Sequence, residues 1–209
     1  MTLHEPATFL TDCLLGGISA LAAWRLAGRA APEDRATPWF QRGFVLSSAS
    51  AFVGGAYHGF ATNFPAAVAG AWWRLTLVLL VLTATALELS LRAELAPGRE
   101  SRWRTLIGAK LAVSLVTVLA DPRFIWALVA YGIALTAWTV AAAAVRRKWS
   151  RSILLGVGLS VLAAAAQISR WDPSARFNHN DLYHVIQALA LLALFRAASR
   201  LQGAAVVAS

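Results

Sequence analysis

Seven apolar segments, each close to the roughly 20 residues that carry a helix across a bilayer, constrain this chain more than any other feature. They run approximately over 8–27, 41–61, 69–91, 104–120, 124–145, 152–170 and 182–201. A segment alone in lipid must satisfy its own backbone polar groups, so each reads as a helix. A membrane barrel would need shorter strands of alternating polarity, and these runs do not alternate. The linkers carry helix-breaking residues: Pro32 and Pro38, Asn63 and Pro65, Pro97-Gly98, Asp121-Pro122-Arg123, and Asp172-Pro173. They leave no room for a soluble domain, and no internal repeat is evident. The expectation is one all-α domain over residues 1–209, an integral membrane bundle of seven transmembrane helices.

Composition agrees with lipid as the solvent. Hydrophobic residues make up 58% of the chain and charged residues 14%, which is too apolar for an ordinary soluble domain. The net charge of +9 would suit nucleic acid, but nearly all the arginines lie between apolar runs, where they set topology instead. No nucleic-acid partner is therefore expected. A single cysteine, Cys13, excludes an intramolecular disulfide. The first residues include His4 and Glu5 but no basic stretch, so no cleaved signal peptide is expected.

Orientation follows from the basic residues. Alternate loops hold Arg29, Arg35 and Arg42, then Arg92, Arg99, Arg102 and Arg104, then Arg146, Arg147, Lys148 and Arg151, and finally Arg196 and Arg200. The opposite loops hold only Arg123, Arg170 and Arg176. The richer set should be cytoplasmic, with the N-terminus outside and the C-terminus inside, in a membrane of the bacterial inner type.

Ionisable groups at the ends of such spans are costly and mark candidate sites. Phe177-Asn178-His179-Asn180-Asp181-Leu182-Tyr183-His184 is the densest polar stretch and sits at the mouth of the last span. His58 lies about one turn before the outer end of the second span, and His184 about one turn into the seventh, so His58, His179 and His184 come to one level near the outer face. Three imidazoles with an open position form a known catalytic zinc arrangement. Zinc would lower the pKa of a bound water toward about 7. His179 and His184 are five residues apart, about 140° around an ideal helix. Both can face one ion only if His179 precedes the helix or the first turn is distorted. Asp181 shares a face with His184 and is read either as an imidazole-orienting partner or as a helix-start carboxylate. Asp12, a turn or so into the first span, is read as a base, a ligand or a partner for a neighbouring helix. Arg74 is read as binding an anionic headgroup or, in preference, as pairing with Asp12 or Asp181, and Glu88 as pairing with Lys110. Ser47, Ser48, Ser50 and Gly54-Gly55 read as small residues at helix contacts.

Gly54-Gly55-Ala56-Tyr57-His58-Gly59 in span two, with Asp181-Leu182-Tyr183-His184 opening span seven, resembles the CREST superfamily of seven-span proteins, which includes alkaline ceramidases and the progestin and adipoQ receptors. The likeness covers the whole chain as architecture and about a dozen residues as motif. It implies a zinc ion held by His58, His184 and His179, and hydrolysis of a lipid amide or ester by a metal-bound water; Asp12 or Asp181 is then expected to handle the proton in place of the family's own residues. An outside N-terminus is similar to the ceramidase branch. The chain departs from the pattern at three places. Gly54 stands where the family has Ser. Trp72, Trp73 and Arg74 stand where it has an Asp. Asn180 stands four residues before His184, with His179 one step earlier. The alternative is a non-catalytic receptor or binding protein with a structural metal or none. A haem protein with His58 as an axial ligand is a third reading. A retinal protein is not expected, since span seven carries no lysine.

Overall fold

A computed structural model describes residues 1–29, 34–95 and 100–201. Pro32, Glu33, Pro97-Gly98 and Arg99 lie outside the described residues. Seven α-helices follow one another among the described residues: α1 (Pro6–Leu26), α2 (Ala36–Phe60), α3 (Ala66–Leu95), α4 (Glu100–Ala120), α5 (Phe124–Val145), α6 (Ser150–Ser169) and α7 (His179–Ala198). Each coincides with one apolar run of the sequence to within a few residues. Six of the helices, all but α2, are long and apolar enough to cross a membrane.

Local chemistry sets the boundaries. Pro6 opens α1, where its missing N–H costs nothing. The Asp34 carboxylate accepts hydrogen bonds from the backbone N–H groups of Ala36 and Thr37, at 2.9 and 3.0 Å, and so caps α2. Asp121 ties the α4–α5 corner by accepting from Arg123 Nε and Trp126 Nε1. Those two bonds hold its carboxyl below the ordinary range. At α7, Asn178 accepts from the N–H groups of Asn180 and Asp181, while Asp181 accepts from the N–H of Asn178. This reciprocal capping box satisfies amide donors that the helix itself leaves open.

Packing closes six of the helices into a ring in the order α1, α2, α3, α5, α6, α7, with α7 returning to α1. α4 leans on the outside of the ring, against α3 and α5. Its outer face is apolar and open, with Leu106, Val113 and Val116 each about two-thirds exposed. In lipid that surface is solvated by acyl chains, so it is no liability there.

α2 is less apolar because it spends polar groups on its neighbours. Ser48 donates to Gly16 O of α1 at 2.9 Å, and Ser50 donates to Thr76 O of α3 at 3.0 Å. Ser47 and Ser19 hydroxyls lie 3.3 Å apart. Gly55 lets α1 approach closely: a Cβ there would stand 2.7 Å from Asp12 Cβ. The expectation of small-residue contacts along α2 is met by these bonds.

Two charged pairs hold the other end of the bundle. Lys110 Nζ lies 3.0 Å from Glu88 Oε1, joining α4 to α3 as the sequence suggested. Glu94, whose side chain is wholly buried, accepts from Arg147 at 2.6 Å and from Trp149 Nε1 at 2.9 Å. Trp149 stacks edge-on against Trp138, which donates its own N–H to Leu87 O. Arg74 corrects one expectation. Its guanidinium donates to the carbonyls of Leu119 and Gly70, not to Asp12 or Asp181. Leu119 lies in the last turn of α4, whose carbonyls have no partner within that helix.

Candidate functional site

Inside the ring lies a cavity of about 280 Å³. Every ring helix contributes to its wall and α4 does not. Asp12 and Leu15 come from α1, Ser50, Ala51, Gly54 and His58 from α2, and Trp73 and Thr76 from α3. Phe124 and Tyr131 come from α5, Gln167 from α6, and Asn180, Tyr183, His184 and Gln187 from α7. Polar groups face apolar ones across it, the usual lining of a small-molecule site.

The chemical centre is a carboxylate–imidazole pair. His184 Nε2 lies 3.3 Å from Asp12 Oδ1, and both side chains are at least nine-tenths buried. The other ring nitrogen, Nδ1, lies 3.2 Å from Thr11 Oγ1. The second Asp12 oxygen, Oδ2, is buried and has no hydrogen-bond partner. The carboxylate lies beside the notch at Gly54, where an added Cβ would stand 3.9 and 4.0 Å from its two oxygens. Asp12 thus reaches the region beside the position at which the resemblance expects a serine.

His58 joins the same cavity from α2. Its Nδ1 is 2.8 Å from Glu5 Oε2, in the segment that precedes α1. That segment is strapped across the end of α2 by His4 N–H to Gly59 O and by Thr2 N–H to Asn63 Oδ1. The strap explains why His58 keeps its Nδ1 side toward Glu5.

His179 and Asp181 are placed differently. His179 is the first residue of α7, and its ring Nδ1 lies 2.7 Å from Asp172 Oδ1 in the preceding loop. It does not line the cavity. The 140° offset from His184 therefore stands, because a regular capped helix begins at that residue. Asp181 is buried but spent on the capping box, with its remaining oxygen 3.5 Å from Thr11 Oγ1. Of the five residues singled out from the sequence, His58, His184 and Asp12 meet at the cavity, Asp181 supports it from behind through Thr11, and His179 faces the loop.

The donor types at the cavity, two imidazoles and a carboxylate with a free oxygen, are those of catalytic zinc sites. As placed, they do not complete one. Asp12 and His184 stand close together, but among the described residues no three His, Cys, Asp or Glu side chains gather closely enough to hold a metal ion.

Other contributors were not singled out from the sequence. Gln167 Nε2 donates to Asn180 Oδ1 at 2.8 Å, leaving Gln167 Oε1 buried and unpartnered. A run of rings crosses the wall: His58 to Trp73 at 6.1 Å, Trp73 to Phe124 at 6.4 Å, Phe124 to Tyr183 at 5.7 Å, and Tyr183 to His184 at 5.2 Å. Polar residues inside apolar runs seek partners, and that signal flags Gln167 and Gln187. The aromatic residues carry no such signal.

Fold and site together define an all-helical bundle of membrane type with a buried ionisable pair facing an internal cavity. The chain belongs to DUF6962, a family of unknown function whose pattern matches residues 7–203. No curated protein and no solved structure matches it.

Proposed function

We propose that this protein is an integral membrane binding protein for a small amphiphile, held in the cavity with its polar end at Asp12 and His184. The observation that carries this reading is a buried Asp12 side chain on the cavity wall with one oxygen, Oδ2, left unpartnered, among both polar and apolar lining residues. A buried polar atom without a partner costs about 1–3 kcal/mol, and a ligand that donates to it recovers that cost. Leu15, Ala51, Leu80 and Leu128 supply the apolar wall. At about 280 Å³ the cavity is at the low end for small-molecule sites, so it suits a headgroup and the first carbons of a chain.

The reading includes seven spans, α2 among them, its serines turned to hydrogen bonds with α1 and α3. It also includes an outside N-terminus in an inner-type membrane, which puts the cavity near the outer face. Segregation of Lys and Arg supports that orientation. Reporter fusions at residues 64 and 148 test it, with the first expected outside and the second inside.

The test of binding is co-purification. Mass spectrometry of solvent extracts should find one amphiphile near stoichiometric with the wild-type protein and depleted in Ala51→Phe, which adds a large side chain to the cavity wall. Equal recovery from both proteins would sink the proposal.

A second reading, hydrolysis of a lipid amide or ester, is favoured by the 3.3 Å approach of His184 to Asp12. A carboxylate beside an imidazole is a general acid–base pairing, and water would have to displace Thr11 from Nδ1 to use it. Turnover across a panel of lipid amides and esters, lost in both His184→Ala and Asp12→Asn, would select this reading. Metal analysis of the same preparations tests the zinc implied by the resemblance.

A further inference from the structure

We infer that the ligand of this cavity is a protonated primary or secondary amine, an ammonium whose N–H groups bind Asp12 Oδ2 and whose charge faces the aromatic wall. The inference rests on the binding reading above and adds the chemistry of the headgroup. Three observations carry it independently of one another.

The first is charge. Among the described residues lining the cavity there is one carboxylate, Asp12, and no Lys or Arg. The nearby Arg74 is engaged with backbone carbonyls on its own helix and on α4. The candidate counter-charges at the wall are imidazoles. His184 Nε2 faces Asp12 Oδ1 while its Nδ1 meets a hydroxyl, an arrangement that a neutral ring satisfies fully. His58 already faces a second carboxylate, Glu5. A buried carboxylate is stable when paired, and a ligand cation supplies the missing partner.

The second is hydrogen-bonding sense. Two side chains on the cavity wall, Asp12 and Gln167, each keep one buried, unpartnered atom, Oδ2 and Oε1, and both atoms are acceptors. An ammonium carries two or three donors and no acceptor, so it matches acceptors of this kind. A carboxylate or phosphate headgroup would meet them with repulsion. A quaternary ammonium would satisfy neither.

The third is the wall itself. Trp73, Phe124 and Tyr183 form a contiguous aromatic surface on the same cavity. Ring faces attract a desolvated cation within about 6 Å of their centroids. They offer an anion no such attraction.

Titration of the purified protein in nanodiscs tests the class with three probes of equal chain length: decylamine, decanol and decyltrimethylammonium. Decylamine is protonated at neutral pH, as lysine is. It should bind saturably and about tenfold or more tighter than either of the others, the scale of one hydrogen bond to a charged group. Asp12→Asn, which keeps shape and removes the charge, should abolish that preference. Trp73→Leu should weaken decylamine more than decanol. Equal binding of decylamine and decanol to the wild type would overturn the amine inference and leave the amphiphile reading standing. No saturable binding of any probe would overturn both. A preference for decylamine that survives in Asp12→Asn would also overturn the assignment, because it would lie elsewhere than at this carboxylate.

Discussion

Gly55→Ala should separate α1 from α2 and displace Asp12. The added Cβ would stand 2.7 Å from Asp12 Cβ and 3.4 Å from Phe9 O. Ordinary contact begins at 3.4 Å, so the helices must part by about 3.4 − 2.7 = 0.7 Å. The opposing atom is a Cβ fixed to its backbone and cannot swing aside. Overpacking of this kind costs about 1–3 kcal/mol. Gly132→Ala is the matched control, since nothing lies within 4 Å of its added Cβ. Both variants gain about 0.5–1 kcal/mol of helix propensity, so that gain cancels between them. At about 2–4 °C per kcal/mol for a chain of this size, Gly55→Ala should melt about 2–12 °C below Gly132→Ala. Thermal unfolding in one detergent, followed by circular dichroism, measures the gap. Ligand binding should fall in Gly55→Ala alone, because only there does Asp12 move. Equal melting temperatures would refute the close approach of α1 and α2 on which the site depends.

Three further expectations concern particular partners. Glu94→Ala leaves Arg147 and Trp149 facing a buried void and should cost about 3 kcal/mol, the lower end for breaking a buried pair because Arg147 is partly exposed; urea titration in mixed micelles reads it. Thr11→Val removes the hydroxyl shared by His184 Nδ1 and Asp181 Oδ1 while keeping the volume; it leaves a buried ring nitrogen unpartnered, which should cost about 1–3 kcal/mol of stability by urea titration, and binding at the cavity should weaken about tenfold. Asp172 is held below the ordinary carboxylate range by the His179 ring and backbone N–H. Its folded value is depressed, so its contribution is present above about pH 4 and is lost as pH falls through that lower value. The melting difference between wild type and Asp172→Asn should therefore be constant near neutrality and close below about pH 4.

The helices were legible because lipid imposes one rule on every span: about twenty apolar residues with an internally bonded backbone. Depth along those spans also sufficed to bring Asp12, His58 and His184 together, since all three sit a turn or so from the same ends. Rotation around each helix axis was harder to read. His179 lies at a fitting depth but on another face, and its partner Asp172 sits in a loop whose path depends on tertiary packing. Arg74 illustrates the same limit, because its acceptors are backbone carbonyls that no residue type advertises. Of the Asn178–Asp181 capping box only half was read, Asp181 as a helix-start carboxylate; the Asn178 amide that completes it was not singled out. The displacement of α4 from the ring was not readable, because lipid-facing and protein-facing apolar residues look alike in sequence.

Photolabelling tests the central claim most directly. A diazirine-bearing alkylamine, activated in nanodiscs and mapped by peptide mass spectrometry, should mark cavity residues such as Leu15, Tyr183 and Leu128, and excess unlabelled decylamine should remove those marks. Adducts confined to the outer face of α4, at Leu106, Val113 and Val116, and unaffected by the competitor, would contradict it.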